Sequence, residues 1–135
     1  MTPDEATNIA TTKAIYAAVP AGDLQTALDL LDPEVRITYY GTDGIPYAGD
    51  YQGFDEAVKF FTRVGESIAI TEMEAWKFIA QGDELATWGH QRFRRLDNGY
   101  EWESEFAHII TLRAGRWLYF RDFMNSALTL QAFSR

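Results

Sequence analysis

Residues 108–126 read HIITLRAGRWLYFRDFMNS: two apolar runs either side of Ala114-Gly115, with His108 near the start and Asp122 near the end. β-branched and aromatic residues flanking a glycine turn predict a β-hairpin. Two titratable side chains in such company form either a satisfied structural pair or a reactive site. The turn decides whether they meet at all. Ala114 resists positive φ, so a two-residue type I′ turn is unfavourable, and a three-residue loop with only Gly115 left-handed is expected. That choice places Phe106, His108 and Ile110 on one face with Leu118, Phe120, Asp122 and Met124. His108 and Asp122 then become diagonal neighbours. A two-residue turn would put Arg121 on the histidine's face instead.

The preceding turn fixes the next strand. Asn98-Gly99 suits a type I′ hairpin because both residues tolerate positive φ. The resulting register pairs Arg94 with Glu103 and Arg92 with Glu105, opposite charges on one face. The other face carries Phe93 opposite Ser104, Gln91 opposite Phe106, and Gly89 opposite His108. It is mostly apolar with a few polar members, the makeup of a ligand site. His90 falls on the opposite face with the arginines and glutamates, and is expected on the outer surface or at an interface.

Working outward, strands are expected near 67–80, 84–96, 100–113 and 117–124, separated by "QGDE", "DNG" and "RAG", as an antiparallel meander. The first third reads as helical. Thr2, Pro3 and Glu5 make a capping box, and the helix ends before Pro20. "GDLQTALDLL" gives a short second helix. Ala57, Phe60, Phe61 and Val64 form the apolar stripe of a third, around Asp55 to Val64. Between them, "VRITYYG" alternates as a strand, and "GTDGIPYAGDYQG" reads as a loop. Helices followed by a long twisted sheet predict one α+β domain over 1–135, three N-terminal helices packed on a strongly curved antiparallel sheet. A sheet covered incompletely by three helices leaves room for a pocket, with Tyr16, Tyr39 and Tyr47 as rim or wall.

Composition narrows the function classes. Twenty acids against twelve bases give a formal charge of −8, which opposes binding to nucleic acid or to anionic membranes. There is no cysteine, hence no thiol chemistry and no zinc–thiolate site. No metal motif such as HExxH is present, and neither a metal nor another cofactor is expected. The N-terminal MTPDEATNIA lacks the features of a signal peptide, so a cytoplasmic location is expected.

The segments YAGDYQGFDEAVKFF, FIAQGDELATWG and ESEFAHIITLRAGRWLYFRDFMNSA, taken together, resemble the NTF2-like superfamily, specifically its SnoaL-like group beside ketosteroid isomerases, polyketide cyclases and limonene epoxide hydrolase. The resemblance spans nearly the whole chain. It implies a cone-shaped α+β barrel with a deep apolar cavity, dimeric through the outer sheet surface. Asp122 falls where SnoaL-like cyclases and limonene epoxide hydrolase carry an acid/base aspartate. The arginine and second aspartate of the epoxide hydrolase relay are replaced by Gly89 and Gln91, and Asn125 stands where the family often has an acid. An epoxide hydrolase is therefore not expected.

Two readings remain open. In one, Asp122 and His108 catalyse cofactor-free isomerisation, cyclisation or lysis of a small carbonyl compound, since an imidazole and a carboxyl group exchange protons near neutral pH. In the other, the same fold is a non-catalytic module binding a small molecule or a protein. Either way the expected partners are a small hydrophobic molecule and a second copy of the chain. The candidate pocket residues are Tyr16, Tyr39, Phe60, Gln91, Phe93, Ser104, Phe106, Phe120 and Met124.

Overall fold

The capping box forms as its sequence requires. Thr2 accepts from the Glu5 amide at 3.1 Å, and the Glu5 carboxylate accepts from the Thr2 amide at 2.7 Å. In the computed structural model, which describes residues 1–135, these contacts start α1 (Pro3–Ala18). Then follow α2 (Leu24–Asp29), β1 (Leu31–Tyr39), β2 (Gly49–Gln52), α3 (Phe54–Ser67) and β3 (Ile68–Gln81). The chain closes with β4 (Glu84–Arg95), β5 (Glu101–Arg113), β6 (Arg116–Met124) and α4 (Ser126–Phe133). The α+β class, the three N-terminal helices and the four-strand meander stand as expected.

Two elements go beyond the sequence reading. β2 lies inside the segment read as a loop and pairs antiparallel with β1. α4 follows the last strand, capped by the Asn125 side chain, which accepts from the Leu128 amide at 3.3 Å. The six strands run β2-β1-β6-β5-β4-β3 across one curved, unclosed sheet. It is not wholly antiparallel, because β1 lies parallel to β6. The meander returns the chain to the flank of β1 running in β1's own direction.

α1 meets the sheet through polar contacts as well as through Ile15 and Ala18. Its buried residues include Asn8, Thr11 and Thr12. The Thr11 hydroxyl donates to the Gly115 carbonyl at 2.7 Å, and the Asn8 amide donates to the Gly82 carbonyl at 3.4 Å. Trp117 Nε1 donates to the Thr12 hydroxyl at 3.1 Å. The helix is thereby pinned to two hairpin turns and to the cavity floor.

Both turns of the sequence argument form differently from expectation. After β4, Arg95 pairs with Tyr100 across the loop 96–99, where only Gly99 has positive φ (74°). Asn98 instead accepts from the Tyr100 amide through its side chain at 3.0 Å, a local bond that replaces the left-handed backbone. The register moves by two, pairing Arg94 with Glu101, Arg92 with Glu103, Gln91 with Ser104 and Thr87 with His108. A shift of two leaves every side chain on its expected face.

After β5 the expected three-residue loop is absent. Arg113 pairs with Arg116 around a two-residue turn in which Ala114 (φ 51°) and Gly115 (φ 75°) are both left-handed. A bulge then restores the parity this turn would have reversed: Thr111 faces Tyr119 while Leu112 faces Trp117, leaving Leu118 as the extra residue. Trp117, 1% exposed, takes the inward position assigned to Leu118. From Phe120 onward the expected face holds.

Two further bulges, around Thr71 and Trp76, bend β3 over its neighbour. At Gly89 the approach is so close that a Cβ would lie 1.8 Å from the Glu74 carbonyl oxygen. No side chain fits there.

Candidate functional site

The inner face of β4, β5 and β6 and the inward sides of α1 and α3 enclose a mostly apolar cavity of about 70 Å³. His108 (3% exposed) and Asp122 (8% exposed) sit on it as directly opposed cross-strand partners rather than the diagonal neighbours expected. His108 Nε2 lies 3.2 Å from Asp122 Oδ1. The two atoms are close but misaligned, and neither has a hydrogen-bond partner of proper geometry in the protein. Leaving a buried polar atom unmatched costs about 1–3 kcal/mol, so such atoms beside a cavity favour a polar partner.

The far side of the imidazole is held from a helix. The Tyr16 hydroxyl makes a short hydrogen bond to His108 Nδ1. Burial, reinforced by the negative charge of Asp122, pushes the Tyr16 phenol well above its ordinary pKa, so it stays protonated. With the phenol donating to Nδ1, the neutral ring carries its proton on Nε2, the atom turned toward Asp122. Phe106 packs against the same ring at 4.4 Å between centroids, and Phe120 meets it edge-on at 4.6 Å.

Two more phenols face the carboxyl group. Burial raises the Tyr39 pKa, with Asp122 adding to it, and burial raises Tyr47, with Tyr39 and then Asp122 adding to it. The rings meet edge-on at 5.0 Å. The Tyr39 hydroxyl donates to a thioether, Met124 Sδ, at 3.4 Å. A weak acceptor such as sulfur yields readily to a ligand oxygen.

Of the expected pocket residues, Tyr16, Tyr39, Phe60, Gln91, Phe93, Phe120 and Met124 line the cavity with His108 and Asp122. Ser104 and Phe106 do not. The buried Ser104 hydroxyl turns back to the Glu105 carbonyl at 2.8 Å, and the Phe106 ring fills the space behind the imidazole. Both border a neighbouring surface hollow instead. The wall also includes Trp117, Met73, Ile68 and Ile70, which sequence reasoning missed. Trp117 depends on the bulge and Met73 on the bends of β3, and neither leaves a mark on hydrophobic alternation. His90 sits on the outer face as expected, 3.6 Å from Glu72 and 3.8 Å from Glu103.

The family model of the SnoaL-like domain matches residues 12–120, and the chain belongs to that family, within the NTF2-like superfamily. An NTF2-like protein of unknown function from Burkholderia pseudomallei K96243 is similar at 27% identity and a TM-score of 0.81, covering 96% of this chain and 98% of its own. TerC, co-crystallised with polyporic acid, matches at 20% identity and a TM-score of 0.82, over 96% of this chain and 99% of its own. A protein from Jannaschia sp. CCS1, provisionally described as a SnoaL-like polyketide cyclase, matches at 15% and 0.78, over 99% and 96%. The last two likenesses show the fold alone. No curated protein sequence matches this chain. No helix is long and apolar enough to cross a membrane.

Proposed function

We propose that this protein binds a small carbonyl compound and moves a proton on it without a cofactor, as an isomerase or cyclase. Asp122 removes the proton from the carbon next to the carbonyl. The electron pair moves onto the oxygen, which receives a hydrogen bond from His108 Nε2–H or a buried tyrosine. Returning the proton at another carbon completes an isomerisation, while attack of the carbanion on a second carbonyl closes a ring, the new alkoxide taking the proton back from Asp122. The carbonyl itself serves as the electron sink. Tyr16 acts as a positioning residue by setting which imidazole nitrogen carries the proton. The observation carrying this reading is the pair of buried, unpartnered polar atoms, His108 Nε2 and Asp122 Oδ1, on two residues that line an apolar cavity.

The test needs no knowledge of the natural substrate. Cyclopentanone incubated with the protein in heavy water should take up deuterium next to its carbonyl. Asp122→Asn should slow that uptake by about 10²–10⁴-fold with the fold intact. Uptake no faster than in buffer, or equal in the variant, would leave the second reading, a non-catalytic binding module. One observation favours that alternative: about 70 Å³ is well below the roughly 300–1,000 Å³ of most ligand sites.

We further propose a homodimer through the outer sheet face. Trp88, Ala107 and Phe123 form a cross-strand row there, Tyr40 stacks on Phe123 at 4.7 Å, and Trp76 lies half exposed nearby. A self-complementary patch of this kind suits a two-fold interface. Light scattering that reports a monomer at micromolar concentration would oppose it.

A further inference from the structure

The cavity is not the end of the apolar space. A groove of about 470 Å³ adjoins it at the surface, and the two share Val19, Pro20, Phe61, Val64, Ile68 and Ile70. Those six residues form a collar where the end of α1, the last turns of α3 and the start of β3 converge. α1 leans on β3 and β6 while α3 leans chiefly on β1 and β2. Beyond the collar the groove runs past Gly22, Leu24, Gly65 and Ala69 to Leu96, which is 50% exposed. Its lining carries no charged side chain, and Thr62 is its one hydroxyl. Apolar surface this continuous, leading from solvent to a buried polar pair, has the form of a ligand track rather than of leftover surface.

We propose that the ligand is an elongated amphiphile: a short carbonyl-bearing head against His108 and Asp122, and an unbranched alkyl or acyl tail passing the collar to lie in this groove. The identity of the head rests on the function proposed above. The tail rests on the collar alone. Continuity selects this occupant, because whatever fills the groove meets the cavity's contents through the six shared residues. It also reconciles a small cavity with an apolar ligand, since only the head must fit inside.

The test is a chain-length series of straight methyl ketones, from butanone to undecanone, with binding followed by quenching of tryptophan fluorescence. In the wild type each added methylene should tighten binding by about threefold to fourfold once the chain passes the collar. Val64→Asp, at the collar, should flatten the series. Leu96→Asp, at an exposed site where folding is not at risk, should weaken the longest ketones alone. A flat series in the wild type, or one that rises equally in Leu96→Asp, would overturn the proposal. A change from dimer to monomer in Leu96→Asp would give the groove to a second copy and overturn it as well. The two proposals fail separately. Deuterium uptake with a flat binding series sinks the tail and leaves the chemistry, while a rising series without uptake does the reverse.

Discussion

The molecule carries two histidines, each beside a carboxylate, on opposite faces of one sheet. His108 is 3% exposed, wedged between Phe106, Phe120 and Tyr16, with Asp122 at 3.2 Å. His90 lies between Glu72 and Glu103 at 3.6 and 3.8 Å, and Glu103 is engaged by Arg92 at 2.7 Å. Residue types and separations are nearly alike. The surroundings differ: water and salt screen the outer cluster, while the inner pair has no solvent to share its charge or fill its hydrogen bonds. Closeness of an imidazole and a carboxylate is thus common to both, and desolvation beside an open cavity belongs to one.

Asp122→Asn breaks the comparison most sharply. It should cost about 10²–10⁴-fold in deuterium exchange, whereas His90→Gln in the same assay should change nothing measurable. Stability should separate the faces next. Replacing His108 alone with Leu strands the buried Tyr16 hydroxyl and should cost about 1–3 kcal/mol in urea unfolding. The paired change, His108→Leu with Asp122→Leu, also removes the unmatched carboxyl oxygen and should recover part of that cost while ending exchange activity.

Alkaline titration reads the inner face by another route. Tyr16, Tyr39 and Tyr47 all have raised pKa values. Their unfolded counterparts ionise near pH 10, so this stability is fully present below about 10 and is lost as pH rises above it. Tyrosinate absorbance from these three should appear only together with unfolding, and Asp122→Asn, which removes one cause of the shift, should lose less stability over the same rise in pH. The smallest effect belongs to the outer cluster. Glu103→Gln should cost less than about 1 kcal/mol, and the cost should vanish in high salt.

Most of this architecture was legible because faces depend on parity, and parity survived two misread turns. Asn98 satisfied its turn through a side-chain bond instead of a left-handed backbone, yet the register moved by two and the faces held. Ala114 accepted a positive φ that its side chain disfavours, and a bulge downstream cancelled the consequence. β2 escaped notice because its four residues include Gly49 and Asp50 and depend on pairing with β1. α4 is short enough that its Asn125 cap was its clearest mark. Tyr16 was placed on the wall, but its bond to His108 spans 92 residues between a helix and a strand. Nothing in local pattern announces such a contact.

Leu118 serves as slack in the rope. A hairpin end and a reaction centre a few residues apart on the same strand would ordinarily constrain each other, since adding or losing one amino acid at the tip would rotate everything beyond it. Here the spare position absorbs that rotation. A chain lacking Leu118 could close as a regular ladder with the imidazole and carboxyl group still opposed. This hairpin can therefore lose one residue beyond its turn while the chemistry below keeps its aim.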